Sequence, residues 1–454
     1  MSEFRQQTDP IVGAVVALAD KVLEQFESAP VVGGIYPWRR EDEHNFRMVL
    51  DQTDDSLAVV VAAHNLEDSG EHATATEAIE ADEGLRPFLG KLIGDPFTRT
   101  GLYADRLLQG MVVHAFSRTT DRAGAVETSL EAIRDLLGRA TRVKRLLTPL
   151  PDGFRPEVSS PVALDDRTSL RALDDGDIAT VLNIGLSFTE LPEPFGIAYV
   201  GTPWGIEVTF ELPAVALGEG EEVPDAIRDA AFESEADASA QLVRVVQALR
   251  ITKSGRISPI GRLTISDDVI LGGLGVRFTT PRFPRPLFDS YELQEMDLER
   301  LRSVLGLLAH ASVRSSPALQ TAVRRFSSSI ERHDPEDRLV DLIVSAEALF
   351  GTDSDQPGDL SLRVAQRFAR FVHAPDGMPL MELFQHMKRQ YGGRSTIVHA
   401  LARTPGVQRK IARALEGVDV TEDLMRKAIY RALTETVGRG KFEIDWNRLV
   451  LEGS

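Results

Sequence analysis

From Glu292 almost to its end the chain is written in helical period, and that constrains the fold more than any other feature. Apolar positions recur every three or four residues over about 295–312, 315–331, 336–350, 360–373, 379–390, 394–415 and 421–437. The connections are short and rich in Gly, Pro and Asp. Helices so closely spaced can bury their apolar stripes only against one another, so a compact helical bundle is expected over 291–440. Pro281, Pro284 and Pro286 mark its upstream border.

Ahead of the bundle two other textures follow one another. Residues 1–150 read as mainly helical. Asp9-Pro10 opens a helix to about Glu27, Pro87–Gly94 and Leu102–Phe116 look helical, and Thr128 starts another helix running to about Leu147. The basic residues Arg142, Lys144 and Arg145 would suit the C-terminal end of that helix dipole. Leu57–Ala63 is a short apolar run that suits either a strand or a buried helical segment. After the break at Pro149-Leu150-Pro151-Asp152-Gly153, residues 160–290 mix strands at 197–200, 205–212 and 263–266 with a helix over Ala238–Leu249. Leu271–Gly275 is glycine-rich but lacks a phosphate-loop lysine, so we read a turn or strand edge there. The expected fold class is therefore α+β and multidomain, with an all-α C-terminal bundle.

Charge divides the chain unevenly. The net charge is -18. Residues 301–454 hold 22 Lys+Arg against 19 Asp+Glu, and the first 300 hold 29 against 50. Phosphate chemistry is thus easier to accommodate in the C-terminal third. The absence of cysteine excludes disulfides, thiolate zinc sites and cysteine nucleophiles. Residues 67–84 carry five Glu, two Asp and no Lys or Arg, and read as a solvated loop or helix face. With His64 and His72 close by, a metal site is conceivable there, but the spacing fits no strong ligand motif and none is assigned. Ile11–Ala19 ends in a small-x-small pattern like a leader. Glu3, Asp9 and the amphipathic continuation through Val22, Leu23 and Phe26 favour a plain helix instead. No stretch approaches a membrane span, and a cytoplasmic protein with no membrane partner is expected.

The stretch that carries chemistry is Gly392-Gly393-Arg394-Ser395-Thr396-Ile397-Val398-His399. A guanidinium holds phosphate through a planar fork of donors, and an imidazole moves a proton near neutral pH. Arg394 and His399 differ by about 140° around an ideal helix and by about 7.5 Å along it. One motif is therefore a poor clamp, whereas two meeting across a dimer can surround one phosphate. Gly392-Gly393 is expected to open a helix whose N-terminal amides favour an anion. Glu347 lies in an apolar helical setting and needs a partner, for which we suggest Arg394. Ser395 can add a hydrogen bond to phosphate. Structural roles compete for each residue: Arg394 in an ion pair, His399 in the core, Glu347 in a charge network. His333, His373 and His386 read as loop or surface residues.

Three segments resemble the HEPN superfamily, specifically its ApeA-like branch. They are Arg325-Phe326-Ser327 with Glu331-Arg332 and Pro335–Ile343; Val344–Gly351, containing Glu347; and Leu383–Ala400, containing Arg394 and His399 as an R-x4-H motif. Gln247–Gly255 is similar to the segment preceding such domains. The resemblance spans 160–440, most firmly 320–402, and leaves 1–150 without a counterpart. It implies a helical bundle that pairs as a homodimer and a metal-independent endoribonuclease, with no cofactor. Arg394 and His399 would be catalytic, with Glu347 and Ser395 supporting them. It also implies a role such as phage defence; from the charge asymmetry alone, the acidic regions are expected to sense a protein or phage-derived trigger, restrain the nuclease or bind a partner. Ser395 stands where active members often carry Asn, Asp or His, and Ala400 where glycine often follows. Non-catalytic members that serve as dimerisation or interaction modules are the alternative. A metal-dependent or nucleotidyl-transferring enzyme finds no ligand cluster or phosphate loop.

Overall fold

The computed structural model describes residues 9–26, 38–40, 45–48, 68–117, 121–151, 153–183, 197–199, 203–266, 276–279, 290–351, 359–399 and 404–452. The chain is mixed α/β. It forms two compact units, each discontinuous in sequence. The first gathers 1–149, 172–240 and 261–282; the second gathers 150–171, 241–260 and 283–454. The break expected near Pro149 is present, but the three consecutive regions are not units. The middle region, 160–290, is divided between both.

In the first unit, helices α1 (Pro10–Phe26), α2 (Gly70–Ala81), α3 (Ala104–Ser117) and α4 (Arg122–Gly138) share one core. Ile11, Val15, Leu18 and Val22 form the buried stripe of α1, and they meet Ile79, Leu107, Met111 and Ile133. Side chains cap the helix starts: Ser69 accepts from the His72 amide at 3.2 Å, and Asp121 from the Gly124 amide at 3.0 Å. The acid-rich stretch is thus helical in part, with His72 buried and 3.9 Å from Asp105. No group of three potential metal-ligating side chains occurs among the described residues. Leu57–Ala63, His64, Leu271–Gly275 and the prolines at 281, 284 and 286 lie outside them.

Two helical expectations in this unit are corrected. Residues 83–91 form turns leading into strand β3 (Leu92–Gly94), with no helix over Pro87–Gly94. Gly90 and Gly94 adopt positive φ, +76° and +151°, which ends any helix there. The helix expected from Thr128 begins earlier, at Arg122, and stops at Gly138; strand β5 (Thr141–Pro149) follows. Arg142, Lys144 and Leu146 therefore project from the buried face of a strand. Lys144 reaches Asp95 at 2.8 Å and donates to Ser266, and Arg142 donates to the carbonyl of Leu136. β5 is central, paired antiparallel with β10 (Trp204–Pro213) from Gly205↔Pro149 to Pro213↔Thr141. On its other side lies β12 (Arg262–Ser266), followed by β13 (Val276–Thr279). Two smaller antiparallel sheets join β3 with β4 (Arg99–Gly101) and β11 (Val215–Leu217), and β1 (Trp38–Arg40) with β2 (Asn45–Met48) and β9 (Ile197–Tyr199). Helix α5 (Asp175–Asn183) lies between β8 (Thr168–Ala172) and β9 in the chain.

The second unit is mostly, but not wholly, helical. It holds a parallel pair, β6 (Phe154–Glu157) with β14 (Tyr291–Gln294), and the antiparallel pair β7 (Val162–Ala163) with β8. It also takes the end of α6 (Asp225–Thr252), whose Leu242, Val245, Val246 and Leu249 are buried as their spacing predicts. Among the described residues nine further helices follow: α7 (Glu295–Ala309), α8 (Ala311–Arg314), α9 (Pro317–Ile330), α10 (Pro335–Phe350), α11 (Leu360–Val372), α12 (Leu380–His399), α13 (Pro405–Leu415), α14 (Val418–Arg439) and α15 (Trp446–Glu452). Prolines in the first turn of α9, α10 and α13 sit where a missing amide costs nothing. Phe350 is the centre of an aromatic cluster, with ring centroids 5.7 Å from Phe368, 5.6 Å from Phe371 and 5.5 Å from Trp446. No helix among the described residues is long and apolar enough to cross a membrane.

Candidate functional site

The proposed motif lies within α12, and its setting differs from the expectation in one important respect. Helix α12 runs unbroken from Leu380 to His399, straight through Gly392 and Gly393. The glycines do not open a helix, so no ring of free amides faces an anion at the motif. Arg394–His399 instead occupies the C-terminal end, where the dipole favours cations. Any phosphate held here is held by side chains.

Gly393 has a packing role. A Cβ at this position would fall 2.3 Å from the Cβ of Ala414 on α13 and 3.4 Å from Leu339 Cδ2 on α10. The missing side chain lets α12 seat closely on both neighbours, which outweighs the roughly 1 kcal/mol helix cost of glycine. At Gly392 the nearest atom to an added Cβ is Lys410 Cε, at 3.8 Å. We therefore expect Gly393→Ala to lower stability by about 1–3 kcal/mol in urea unfolding. Gly392→Ala should raise it by roughly 0.5–1 kcal/mol. Equal losses from both substitutions would contradict this division of roles.

Arg394 projects toward α10. Its Nη2 lies 3.6 Å from Glu347 Oε2, with the two side chains 22% and 20% exposed. The pairing suggested from the sequence is therefore present. At that distance it is an ion pair looser than a charge-assisted hydrogen bond of about 2.8 Å. Arg394 Nε is buried and makes no hydrogen bond among the described residues. The guanidinium is thus held in place with donor capacity to spare. Tyr391, one turn earlier, completes the group and was not anticipated. Burial raises its pKa to about 12, reinforced by its hydrogen bond to Glu347 and that carboxylate's charge, while Arg394 pulls the other way. Tyr391 therefore stays a neutral donor to Glu347 at physiological pH. Its place three residues before Arg394, on the same helix face, is the signal in the sequence that points to it.

His399 is the last residue of α12 and is exposed, so it is not a core histidine. Ser395 is half-buried, and Thr396 bonds back to the Gly392 carbonyl at 2.8 Å. The structure thus brings Glu347, Tyr391 and Arg394 together and leaves His399 about a turn and a half further on, facing solvent.

His386 corrects the expectation of a surface residue. It is 5% exposed, and Nε2 lies 2.9 Å from Thr421 Oγ1 on α14. Beside it Gln390 donates to the Ala414 carbonyl at 2.9 Å. His333 and His373 are exposed, as read. Burial, with a smaller contribution from Arg389, lowers the His386 pKa from 6.5 to about 4. The unfolded chain then binds the proton more strongly, so this contribution to stability is complete above pH 6.5. It falls away as pH drops toward 4, for a total of about 3 kcal/mol. Urea midpoints at pH 7.5 and 4.5 should therefore differ more for the natural protein than for His386→Gln. Equal pH dependence in the two would contradict the burial of a neutral imidazole.

No family model, curated protein or solved structure matches the chain.

Proposed function

We propose that the protein is a metal-independent endoribonuclease of the HEPN type, with Arg394 and His399 as its catalytic pair. The observation that carries this reading is the Arg394 guanidinium, oriented by Glu347 at 3.6 Å yet left with a buried, unbonded Nε. A guanidinium held by one carboxylate and left with spare donors can take up a phosphate oxygen through its remaining N–H groups. Five residues on, an exposed imidazole offers the acid–base group.

In the proposed reaction His399 takes the proton of an RNA 2′-hydroxyl, or delivers one to the departing 5′-oxygen. The 2′-oxygen forms a bond to phosphorus as the bond to the 5′-oxygen breaks. Arg394 neutralises the charge that builds on the phosphorane oxygens, and Ser395 adds a hydrogen bond. Products are a 2′,3′-cyclic phosphate and a 5′-hydroxyl. The angular offset between Arg394 and His399 calls for a second copy, each homodimer presenting two motifs to one cleft. Glu347 and Tyr391 act through Arg394 by fixing its direction. The acidic regions restrain the enzyme or receive a protein or phage-derived trigger in the cytoplasm, because an unrestrained ribonuclease is toxic to its own cell.

A second reading, a non-catalytic dimerisation or interaction module, is favoured by the motif's place at a helix C-terminus. End-group analysis decides between them. RNA incubated with the protein in excess chelator should yield cyclic-phosphate ends, while DNA of the same sequence stays intact. Uncut RNA, or cleavage of both polymers, contradicts the nuclease as written.

A further inference from the structure

Between Glu382 and Glu416 the chain carries Lys388, Arg389, Arg394, Arg403, Arg409, Lys410 and Arg413, and not one Asp or Glu. In a protein of net charge -18 such an acid-free run of 33 residues is a local reversal of sign. Apart from Arg403, which lies outside the described residues, it falls on two adjoining helices, α12 and α13.

Those helices pack closely through Gly393 and Ala414, which joins their outer faces into one surface. Ile411 and Ala414 face inward, while Arg409, Lys410 and Arg413 are exposed on α13. Lys388 and Arg389 are exposed on α12. The Lys410 stem lies over Gly392, its Cε 3.8 Å from the position a Cβ would take there, so it reaches across onto α12. Arg389, Gly392, Thr396 and His399 recur at three- and four-residue spacing along that same side of α12. The cationic surface therefore runs up to the exposed imidazole.

Several other cations of this unit are paired with carboxylates. Arg325 and Arg332 share Asp341, at 3.0 and 2.8 Å; Arg431 and Arg439 share Glu435, at 2.7 and 3.3 Å; Arg448 meets Glu452 at 3.0 Å. Among the described residues Arg389, Arg409, Lys410 and Arg413 have no carboxylate within 4.0 Å. Dipole compensation accounts for Arg413 in the last turn of α13, but not for Arg409 and Lys410 in its middle. Four unpaired cations on one surface repel one another unless a polyanion covers them.

We propose that the joined outer faces of α12 and α13 bind the sugar–phosphate backbone of single-stranded RNA, with Arg389, Arg409, Lys410 and Arg413 contacting phosphates and leading the strand to His399. The choice of RNA among polyanions rests on the nuclease reading. The surface itself rests on charge and packing alone.

The test is binding of a fluorescent 2′-O-methyl oligouridylate, which cannot undergo transesterification, by the full-length protein across a salt series. Each phosphate contact in a single strand contributes about -0.7 to the slope of log affinity against log salt. Arg409→Ala/Lys410→Ala/Arg413→Ala should flatten the slope by about 2 and weaken binding roughly 10- to 100-fold at 100 mM salt. Lys410→Ala alone should remove about 0.7 of slope. Salt-dependent binding by a natural protein that cuts no RNA would leave the surface standing while the nuclease reading fails, so the two proposals fail separately. Unchanged affinity and slope in the triple variant would overturn the proposal. So would competition by polyglutamate as effective as by RNA, which would assign the surface to an acidic polypeptide.

Discussion

Glu422→Ala is expected to cost about 3–5 kcal/mol of stability, more than any other single substitution considered for this protein. Glu422 is 5% exposed on α14 and serves two buried guanidiniums at once. Arg338 Nε approaches its Oε2 at 3.0 Å and Arg426 Nη2 its Oε1 at 2.7 Å. Arg338 and Arg426 are themselves 8% and 5% exposed. Burial opposes the charge on Arg338, but Glu422 and then Asp419 overcome it and raise its pKa above the ordinary guanidinium value. With Glu422 gone, Arg338 keeps Asp419, and Arg426 keeps Asp423 and the Arg250 carbonyl. Both remaining carboxylates face water, at 86% and 58% exposed, and compensate a buried charge poorly. Glu435→Ala is the control, since its pairs with Arg431 and Arg439 are largely exposed and should be worth at most about 1 kcal/mol. Urea unfolding of the two variants checks the contrast, and similar losses would sink it.

His399→Ala is expected to act in the opposite manner, sparing the fold and removing the activity. The side chain is exposed at the end of α12, so stability should change by no more than about 0.5 kcal/mol. Loss of a general acid–base group should slow RNA cleavage by about 10² to 10⁴. That corresponds to roughly 3–5 kcal/mol of transition-state stabilisation. Single-turnover cleavage beside a thermal melt separates the two effects. A variant that melts early and cuts normally would reverse the assignment.

What the sequence disclosed follows from where each signal is stored. Helices with a one-sided apolar stripe and a capping residue were legible, because both signals are local. Asp9-Pro10 opening α1 and the Leu242, Val245, Val246 and Leu249 stripe of α6 are examples. The strand at Thr141–Pro149 was misread as helix because Val143, Leu146 and Leu147 also fit a helical stripe. What rules out a helix is that Lys144 and Arg142 turn inward, and Lys144 is satisfied there by Asp95 and Ser266, far away in sequence. Trp446 and α15 were missed for the same reason, since their partners Phe350 and Phe371 come from other helices.

The site divides the same way. Glu347 needed a partner because of its apolar surroundings, and the only step left was to choose Arg394. The glycine pair was misassigned because propensity alone marks Gly392-Gly393 as a break. Contact with Ala414 keeps the helix continuous there. His386 was placed on the surface because its partner, Thr421, is 35 residues later.

Arg394 and His399 are proposed to cleave RNA without a metal. This is tested most directly by RNA cleavage in excess chelator, with the natural protein, Arg394→Ala and His399→Ala at equal folded concentration. Chelator-resistant cleavage by the natural protein and at least a hundredfold loss in each variant are expected. Cleavage that survives both substitutions would contradict the proposal.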